Sequence, residues 1–195
     1  LAFNKMIRPD LALGVTVYGN GGLNTDYPGG QLPAGAACAG FNPNPGPYNL
    51  LCGNGRLGVD LSQLIIAPTI AWKFQPNHSI GLSPLLAYQR FQAEGLGAFG
   101  AFSNDPGNFS NRGYDDSTGW GARVGYYGAF SPTFAVGASY ATKTRMGDFD
   151  KYRGLFAEQG DFDIPSHWAV GVAVKPVDKW IIAADFMRIN YSDVK

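Results

Sequence analysis

The sequence predicts an all-β protein, an antiparallel transmembrane β-barrel whose long extracellular loops contain short helices. Seven segments alternate large apolar residues with small ones, which is the period of a β-strand. Their connections are alternately tight and long, as in barrels that span an outer membrane. Charged residues form only 15% of the 195-residue chain, against about 25% in ordinary soluble domains. The 27 glycines and the 4 Trp, 10 Tyr and 13 Phe residues are abundant in comparison.

The seven predicted strands each have one face of large apolar side chains and one face of Gly, Ala and Ser. Within 134–143, for example, Phe134, Val136 and Tyr140 alternate with Ala135 and Gly137. The charged residues within the strands keep to the small face. The segments cover residues 11–18, 66–74, 80–91, 120–130, 134–143, 168–175 and 180–186.

The environment of the large face decides between two kinds of β protein. In a soluble sandwich this face packs on a second sheet, and the other face carries solvating side chains. Here the second face is Gly, Ala and Ser, which suits the interior of a narrow or partly filled barrel. Tight turns at 75–78, 131–133 and 175–179 alternate with long connections at 20–65, 94–117 and 147–165. Aromatic residues at both ends of the strands predict two interfacial girdles, so the membrane barrel is favoured over the soluble fold.

Two of the long connections carry helical patterns. Asp60 could cap a short helical turn over residues 58–65. Phe149, Tyr152 and Phe156 have near-helical spacing, and Gly160 is a possible stop.

The two cysteines, Cys38 and Cys52, lie in one Gly-, Pro- and Asn-rich stretch. This spacing favours a local disulfide and an oxidising compartment over two free thiols or a metal pair.

Composition and motifs argue against several functions. Lys plus Arg equals Asp plus Glu at 15 each, so there is no basic field for nucleic acid. No apolar run is long enough for a transmembrane helix, and the amino end shows no secretory signal pattern. His78 and His167 have no neighbouring nucleophile motif, so an enzyme is not expected. Asp105, Asp115 and Asp116 lack the ligand spacing of a calcium loop, and no metal or cofactor is expected.

Four stretches together resemble the FadL-type outer-membrane transporters of long-chain fatty acids and aromatic hydrocarbons. They are YGNGGLNTDYPGG (18–30), GVDLSQLIIAPTIAWKF (58–74), SIGLSPLLAYQRFQAEGLGAF (79–99) and KYRGLFAEQGDFDIPSHWAVGVAVKP (151–176). The resemblance implies a fourteen-stranded barrel, of which the seven segments would be strands five to eleven. Residues 1–195 would then be a partial barrel domain that lacks the amino-terminal plug and the flanking strands.

The resemblance also implies a function and a location. The expected protein is a monomeric, multi-pass barrel in the outer membrane of a Gram-negative bacterium, surrounded by lipid and lipopolysaccharide. It would capture a fatty acid or an aromatic hydrocarbon in a loop groove, bind it in the lumen and release it laterally. A general porin or a structural or adhesin barrel is the alternative.

The expected ligand site lies on two long connections, at 20–65 and 94–117, and on one basic residue. Arg90 matches a basic residue that the family uses near a ligand head group, although strict alternation puts it on the apolar face unless Pro84 marks a bulge. The groove residues either bind ligand or only pack loop on loop. They are Leu57, Leu61, Leu64, Ile65, Leu96, Phe99 and Phe102.

Overall fold

The computed structural model describes residues 1–34, 37–177 and 179–194. Within them the chain forms one antiparallel sheet of nine strands. The strands are β1 (Ala2–Arg8), β2 (Leu11–Tyr27), β3 (Leu57–Gln75), β4 (His78–Glu94), β5 (Asp115–Ser131), β6 (Phe134–Ala141), β7 (Arg145–Met146), β8 (His167–Val177) and β9 (Trp180–Ile189).

Strand order follows chain order, with one exception. The sheet runs β1-β2-β3-β4-β5-β6-β8-β9, and the two-residue β7 pairs with β5 beyond the end of β6. Tight turns join β1 to β2, β3 to β4, β5 to β6 and β8 to β9 at one end of the sheet. Asp178, in the last of these turns, lies outside the described residues. The connections 28–56, 95–114 and 147–166 lie at the other end, which confirms the predicted alternation of tight and long connections.

All seven predicted strands are present, and two further strands were not predicted. The unpredicted strands are β1 and the short β7. The predicted helical turn over 58–65 is wrong, because these residues are the first part of β3. Leu61 pairs with Leu23 of β2 on one side and with Phe91 of β4 on the other. Asp60 lies opposite Asn24 in the same ladder and caps no helix.

The two faces of the sheet differ as the alternation predicts. On one face, called here the outer face, large apolar side chains are exposed; Ile70 is 45%, Leu82 53% and Trp120 69% exposed. The opposite, inner face carries small residues such as Ala67 and Ala93, both fully buried. The sheet is thus apolar on the side that nothing in the described chain covers.

The apolar part of the outer face has the height of a membrane. On β3 it runs from Leu64 to Phe74, ten residue steps along the strand. At about 3.4 Å per step this is about 34 Å, and a strand tilt of about 40° reduces it to about 26 Å of height. Apolar bands of transmembrane barrels are about 25 Å tall.

The third long connection, residues 147–166, folds onto the inner face. Its Phe149 and Tyr152 are fully buried and pack against Phe91 and Ala93 of β4. Nearer the middle of the sheet, Ile164 packs in a second cluster with inner-face side chains of β3, β4 and β6. The inner face is therefore covered at its long-connection end by the chain's own loop.

The long connections contain short helices, as predicted, although sequence patterns indicated them in only two of the three. They are 3-10 helices at Ala37–Gly40, Gly97–Phe102, Pro106–Asn108, Asp150–Tyr152 and Ala157–Gln159. Gly160 ends the last of these with φ +119°, a left-handed conformation that favours glycine, so the predicted stop is confirmed. A further 3-10 helix follows β9 at Tyr191–Asp193. Among the described residues, no helix is long and apolar enough to cross a membrane.

Candidate ligand-binding site

A row of rings follows the outer face at the tight-turn end of the sheet. His78 lies at its centre, with its ring centroid 5.1 Å from that of Phe130 and 6.1 Å from that of Phe74. The imidazole Nδ1 is 2.7 Å from the hydroxyl oxygen of Tyr126. His78 is thus part of an aromatic border on the outer face.

Polar groups border the outer face at its other end. Tyr88 and Tyr114 donate hydrogen bonds to Asp116 (2.5 Å) and Asp60 (2.7 Å). The guanidinium of Arg90 stacks on the Tyr114 ring, with Cζ 3.4 Å from the ring centroid. Along β4, the outer-face side chains therefore change from apolar to polar within two residues.

Arg90 lies on the outer face because Pro84 does not shift the register. The pairing of β4 with β5 is continuous from His78 through Pro84 to Phe91. The side chain of Arg90 consequently points away from the inner face. Its role near a ligand head group, which the family resemblance implies, stays a prediction.

The seven residues predicted for the loop groove do not share one surface. Leu57 and Ile65 are buried on the inner face, Ile65 in the cluster around Ile164, whereas Leu64 is 38% exposed on the outer face. Leu61 and Leu96 pack against the cluster around Phe91. Phe99 and Phe102, on the Gly97–Phe102 helix, are 39% and 80% exposed. Only the last two present open apolar surface on a long connection.

The first and second long connections, 28–56 and 95–114, are joined by a buried amide. Asn49 is fully buried and donates from Nδ2 to the carbonyl oxygen of Gly95 (2.9 Å). Its Oδ1 accepts from the amides of Leu51 (3.0 Å) and Gly53 (2.9 Å). A Cβ atom on Gly53 would collide with the Gly95 carbonyl oxygen, so glycine permits this approach.

The predicted disulfide between Cys38 and Cys52 is present, with Cα atoms 5.1 Å apart. It closes a ring within the first connection, beside the Asn49 contacts. In the chain-entropy account a ring of this size contributes about 3 kcal/mol to stability.

We expect Asn49→Ala to loosen the contact between these two connections. The substitution leaves the Gly95 carbonyl and the two amides without a partner, and each such loss costs about 1–3 kcal/mol. Hydrogen exchange of the full-length protein should show faster exchange at 49–53. Leu50→Ala, at a half-exposed neighbour, is the control and should leave these rates unchanged. Unchanged exchange in the Asn49 variant would contradict the role of the amide.

A cavity of about 510 Å³ lies on the inner face, between β3, β9 and the third connection. Its apolar wall consists of Leu61, Phe162, Ile164, Met187, Ile189 and Val194. Asn20, Gln63, Asp163, His167 and Tyr191 contribute polar groups. Four strands separate β3 from β9 in the sheet, yet both border this space. The sheet therefore curls around its inner face, as the wall of a barrel does.

The amides beside the cavity bond to one another. Asn20 Nδ2 donates to Gln63 Oε1 (3.1 Å), and Gln63 Nε2 donates to Gln89 Oε1 (3.0 Å). Gln89, fully buried, donates to the carbonyl oxygen of Phe162 (3.1 Å). This series of hydrogen bonds ties the third connection to the sheet.

One ion pair stands at the cavity wall. Lys143 Nζ is 2.7 Å from Asp163 Oδ2, and the Asp163 side chain is only 7% exposed. Lys143 also donates to the carbonyl oxygen of Asp193 (3.1 Å). The hydrogen bond to Asp163 raises the pKa of Lys143 above its ordinary value. The ammonium is thus held in its charged form, with two of its three N–H donors engaged.

A second carboxyl group lies beside this pair. Oδ1 of Asp161 is buried and accepts no hydrogen bond from the described residues. Burial raises the pKa of Asp161, and the neighbouring Asp163 raises it further. The raised pKa favours the uncharged form of the Asp161 carboxyl group.

The residues of this cavity, apart from Leu61, were not predicted as ligand residues. Met187 and Ile189 follow the end of the last predicted strand, and their inner-face position is set by pairing with β8. Phe162 and Ile164 belong to the third connection, and no local pattern shows that it folds inward. Three loop carboxylates considered above as calcium ligands make separate contacts; they are Asp105, Asp115 and Asp116. The described residues contain no group of three or more His, Cys, Asp or Glu side chains that could hold a metal.

These features define the chain as a curved antiparallel wall with an apolar outer band and an apolar inner cavity. The sequence matches no family model and no curated protein. Solved structures do match it. The toluene transporter TbuX of Ralstonia pickettii is 18% identical, with 98% of this chain and 54% of that chain covered at a TM-score of 0.66. The toluene transporter TodX of Pseudomonas putida is 17% identical, with 99% and 54% covered at 0.65.

A FadL homologue of Pseudomonas aeruginosa also matches, at 14% identity, with 98% of this chain and 48% of that chain covered at a TM-score of 0.64. The FadL-type resemblance of the sequence is thus confirmed at the level of the fold. The chain spans about half the length of the structures it matches.

Proposed function

We propose that this chain is part of a FadL-type barrel that carries hydrophobic small molecules across a bacterial outer membrane. The observation that carries the proposal is the pairing of two apolar surfaces on one sheet. The outer face has an apolar band of membrane height, and the inner face has an apolar cavity beneath the third connection. The first surface suits lipid and the second suits a hydrophobic cargo.

The outer face supports the membrane location. Its large side chains are exposed along β3, β4 and β5, with an aromatic row at one end and polar pairs at the other. A soluble protein rarely leaves an apolar surface of this extent uncovered. We place the tight turns on the periplasmic side and the long connections outside the cell.

The inner face supports transport of apolar compounds over a general porin. A porin lumen carries many charges and holds water. Here the inner face includes the small buried residues Ala67, Ala87 and Ala93, and the third connection fills part of the space. Substrates are then fatty acids or aromatic hydrocarbons, captured at the long connections, bound in the lumen and released through the barrel wall as in the family this fold resembles.

The test is uptake by cells that express the full-length gene. An alkylbenzene and a fatty acid are compared with a sugar. We expect uptake of a hydrophobic compound and no uptake of the sugar beyond that of cells without the gene. Sugar uptake alone would favour the porin. A transporter barrel or a porin barrel should migrate differently in detergent gels before and after heating. This change distinguishes both from a soluble β protein.

Two neighbouring residues of β9 provide a matched pair of variants. Met187 borders the cavity, and the adjacent Phe186 is 61% exposed on the outer face. Met187→Trp should narrow the cavity and lower hydrophobic uptake several-fold. Phe186→Trp keeps an aromatic residue on the lipid side and should transport normally. Equal uptake by both variants would contradict the cavity as part of the route.

A further inference from the structure

The charges at the cavity wall discriminate between the two substrate classes. Asp163 is the only charged residue that borders the cavity among the described residues, and its single cationic partner is Lys143. Lys143 is already bound by the Asp163 carboxylate and the Asp193 carbonyl. Arg123, also on the inner face, lies over the Tyr18 ring at 6.0 Å and does not border this space. An incoming carboxylate would therefore meet the Asp163 carboxylate, and the neighbouring Lys143 ammonium already binds two acceptors.

We infer that this cavity binds uncharged hydrophobic molecules, such as aromatic hydrocarbons or alcohols, and rejects ionised fatty acids. The inference rests on the proposed function and names the substrate class of that same cavity. The geometry that carries it is the Lys143–Asp163 pair beside an apolar wall.

Burial of a carboxylate requires a partner. An ionised group that leaves water without a counter-charge loses far more free energy than an apolar chain of the same length gains. The amides of Asn20, Gln63 and Gln89 already bond to one another and to the third connection. Apart from the side chains of His167 and Tyr191, the wall therefore offers mainly contact area, which favours a ligand whose whole surface is apolar or neutral.

The cavity is also large enough for such a ligand. A dry apolar cavity of about 150 Å³ binds benzene, and drug-sized ligands occupy about 300–1,000 Å³. The 510 Å³ found here accommodates a substituted benzene or a medium-length chain.

The test compares 1-octanol with octanoate on the full-length protein in lipid nanodiscs at pH 8, with empty nanodiscs subtracted. The two ligands share a chain length and differ in charge. We expect 1-octanol to bind about tenfold or more tightly than octanoate. Asp163→Asn removes the carboxylate and frees Lys143, while its amide oxygen still accepts the hydrogen bond of the Met146 amide. This variant should reduce the preference for 1-octanol about tenfold.

Two further variants keep the result interpretable. Asp163→Asn combined with Lys143→Gln removes the freed ammonium and should restore the preference. Asp185→Asn removes an inner-face carboxylate of β9 that does not border this cavity, and should leave the preference as it is. Heat-modified migration checks that each variant forms the barrel.

The outcomes separate the two proposals. Octanoate binding as tightly as 1-octanol overturns this inference and leaves the proposed transport intact. The inference is also overturned if Asp163→Asn does not reduce the preference for 1-octanol, because the ion pair would then not be the cause of that preference. Binding of neither ligand overturns the lumen site of the proposed function, and the inference with it.

Discussion

Leu82→Arg is expected to lower the free energy of unfolding of the full-length protein by about 2–4 kcal/mol in lipid bilayers. Leu82 lies near the middle of the apolar band, opposite Ile70 of β3 and Val124 of β5 on the outer face. An arginine there would place its charge in hydrocarbon. In water the same exposed position would tolerate arginine without loss, so the sign and size of the effect separate the two environments.

Leu64→Arg is the matched control for this prediction. Leu64 has the same side chain on the same face, at the border where β3 turns polar. Arginine near the interface costs only about 0–1 kcal/mol. Denaturant titration of both variants in lipid vesicles, followed by tryptophan fluorescence, measures the difference. Equal and small effects at the two sites would contradict the prediction that the outer face contacts lipid.

Phe149→Ala is expected to release the third connection from the inner face, at a cost of about 3–5 kcal/mol for a fully buried phenylalanine. The Phe149 ring centroid is 5.5 Å from those of Phe91 and Phe156. Tyr152 packs in the same cluster and donates to the Gly113 carbonyl (2.6 Å). Loss of the Phe149 ring leaves a space that these neighbours fill only in part.

Limited proteolysis of the full-length protein in detergent measures this release. The Phe149 variant should be cleaved within 147–166 much faster than the unchanged protein, while the strands stay intact. Phe102→Ala removes a side chain that is 80% exposed and should not alter cleavage there. If the Phe149 variant resists cleavage as well as the unchanged protein does, the cluster does not hold the connection.

Alternation of residue size was sufficient to predict the faces of the strands. Its signal is local, since neighbouring residues of a strand point to opposite sides. Leu85, which breaks the small face of β4, has a long-range cause. Ile164 of the third connection covers it in a common cluster. No pattern within β4 could show that a loop from much later in the chain would lie there.

The start of β3 shows where sequence patterns are ambiguous. Leu57, Leu61, Leu64 and Ile65 fit a helical face, yet they lie in a strand with partners on both sides. Two ladders of hydrogen bonds outweigh a local helical preference. The β1 strand was missed for another reason, because Lys5 falls on the outer side, opposite Leu13. A charge on that side conceals the alternation.

The candidate cavity was beyond prediction from the sequence because it joins distant segments. Leu61 and Met187 border the same space although well over a hundred residues separate them. The charge pair between Lys143 and Asp163 also depends on the inward path of the third connection. The sequence could predict the kind of inner face that leaves room for such a loop. This face has small side chains and few charges.

The inward path of residues 147–166 has a consequence for the order of folding. Its contacts reach back to Phe91 and Gln89 in β4, so the loops that these contacts close are expected to form only after that strand has paired. Closure over such separations is slow compared with the formation of neighbouring hairpins. We therefore expect the strands of the wall to pair first, and the cavity to form when the third connection folds onto them.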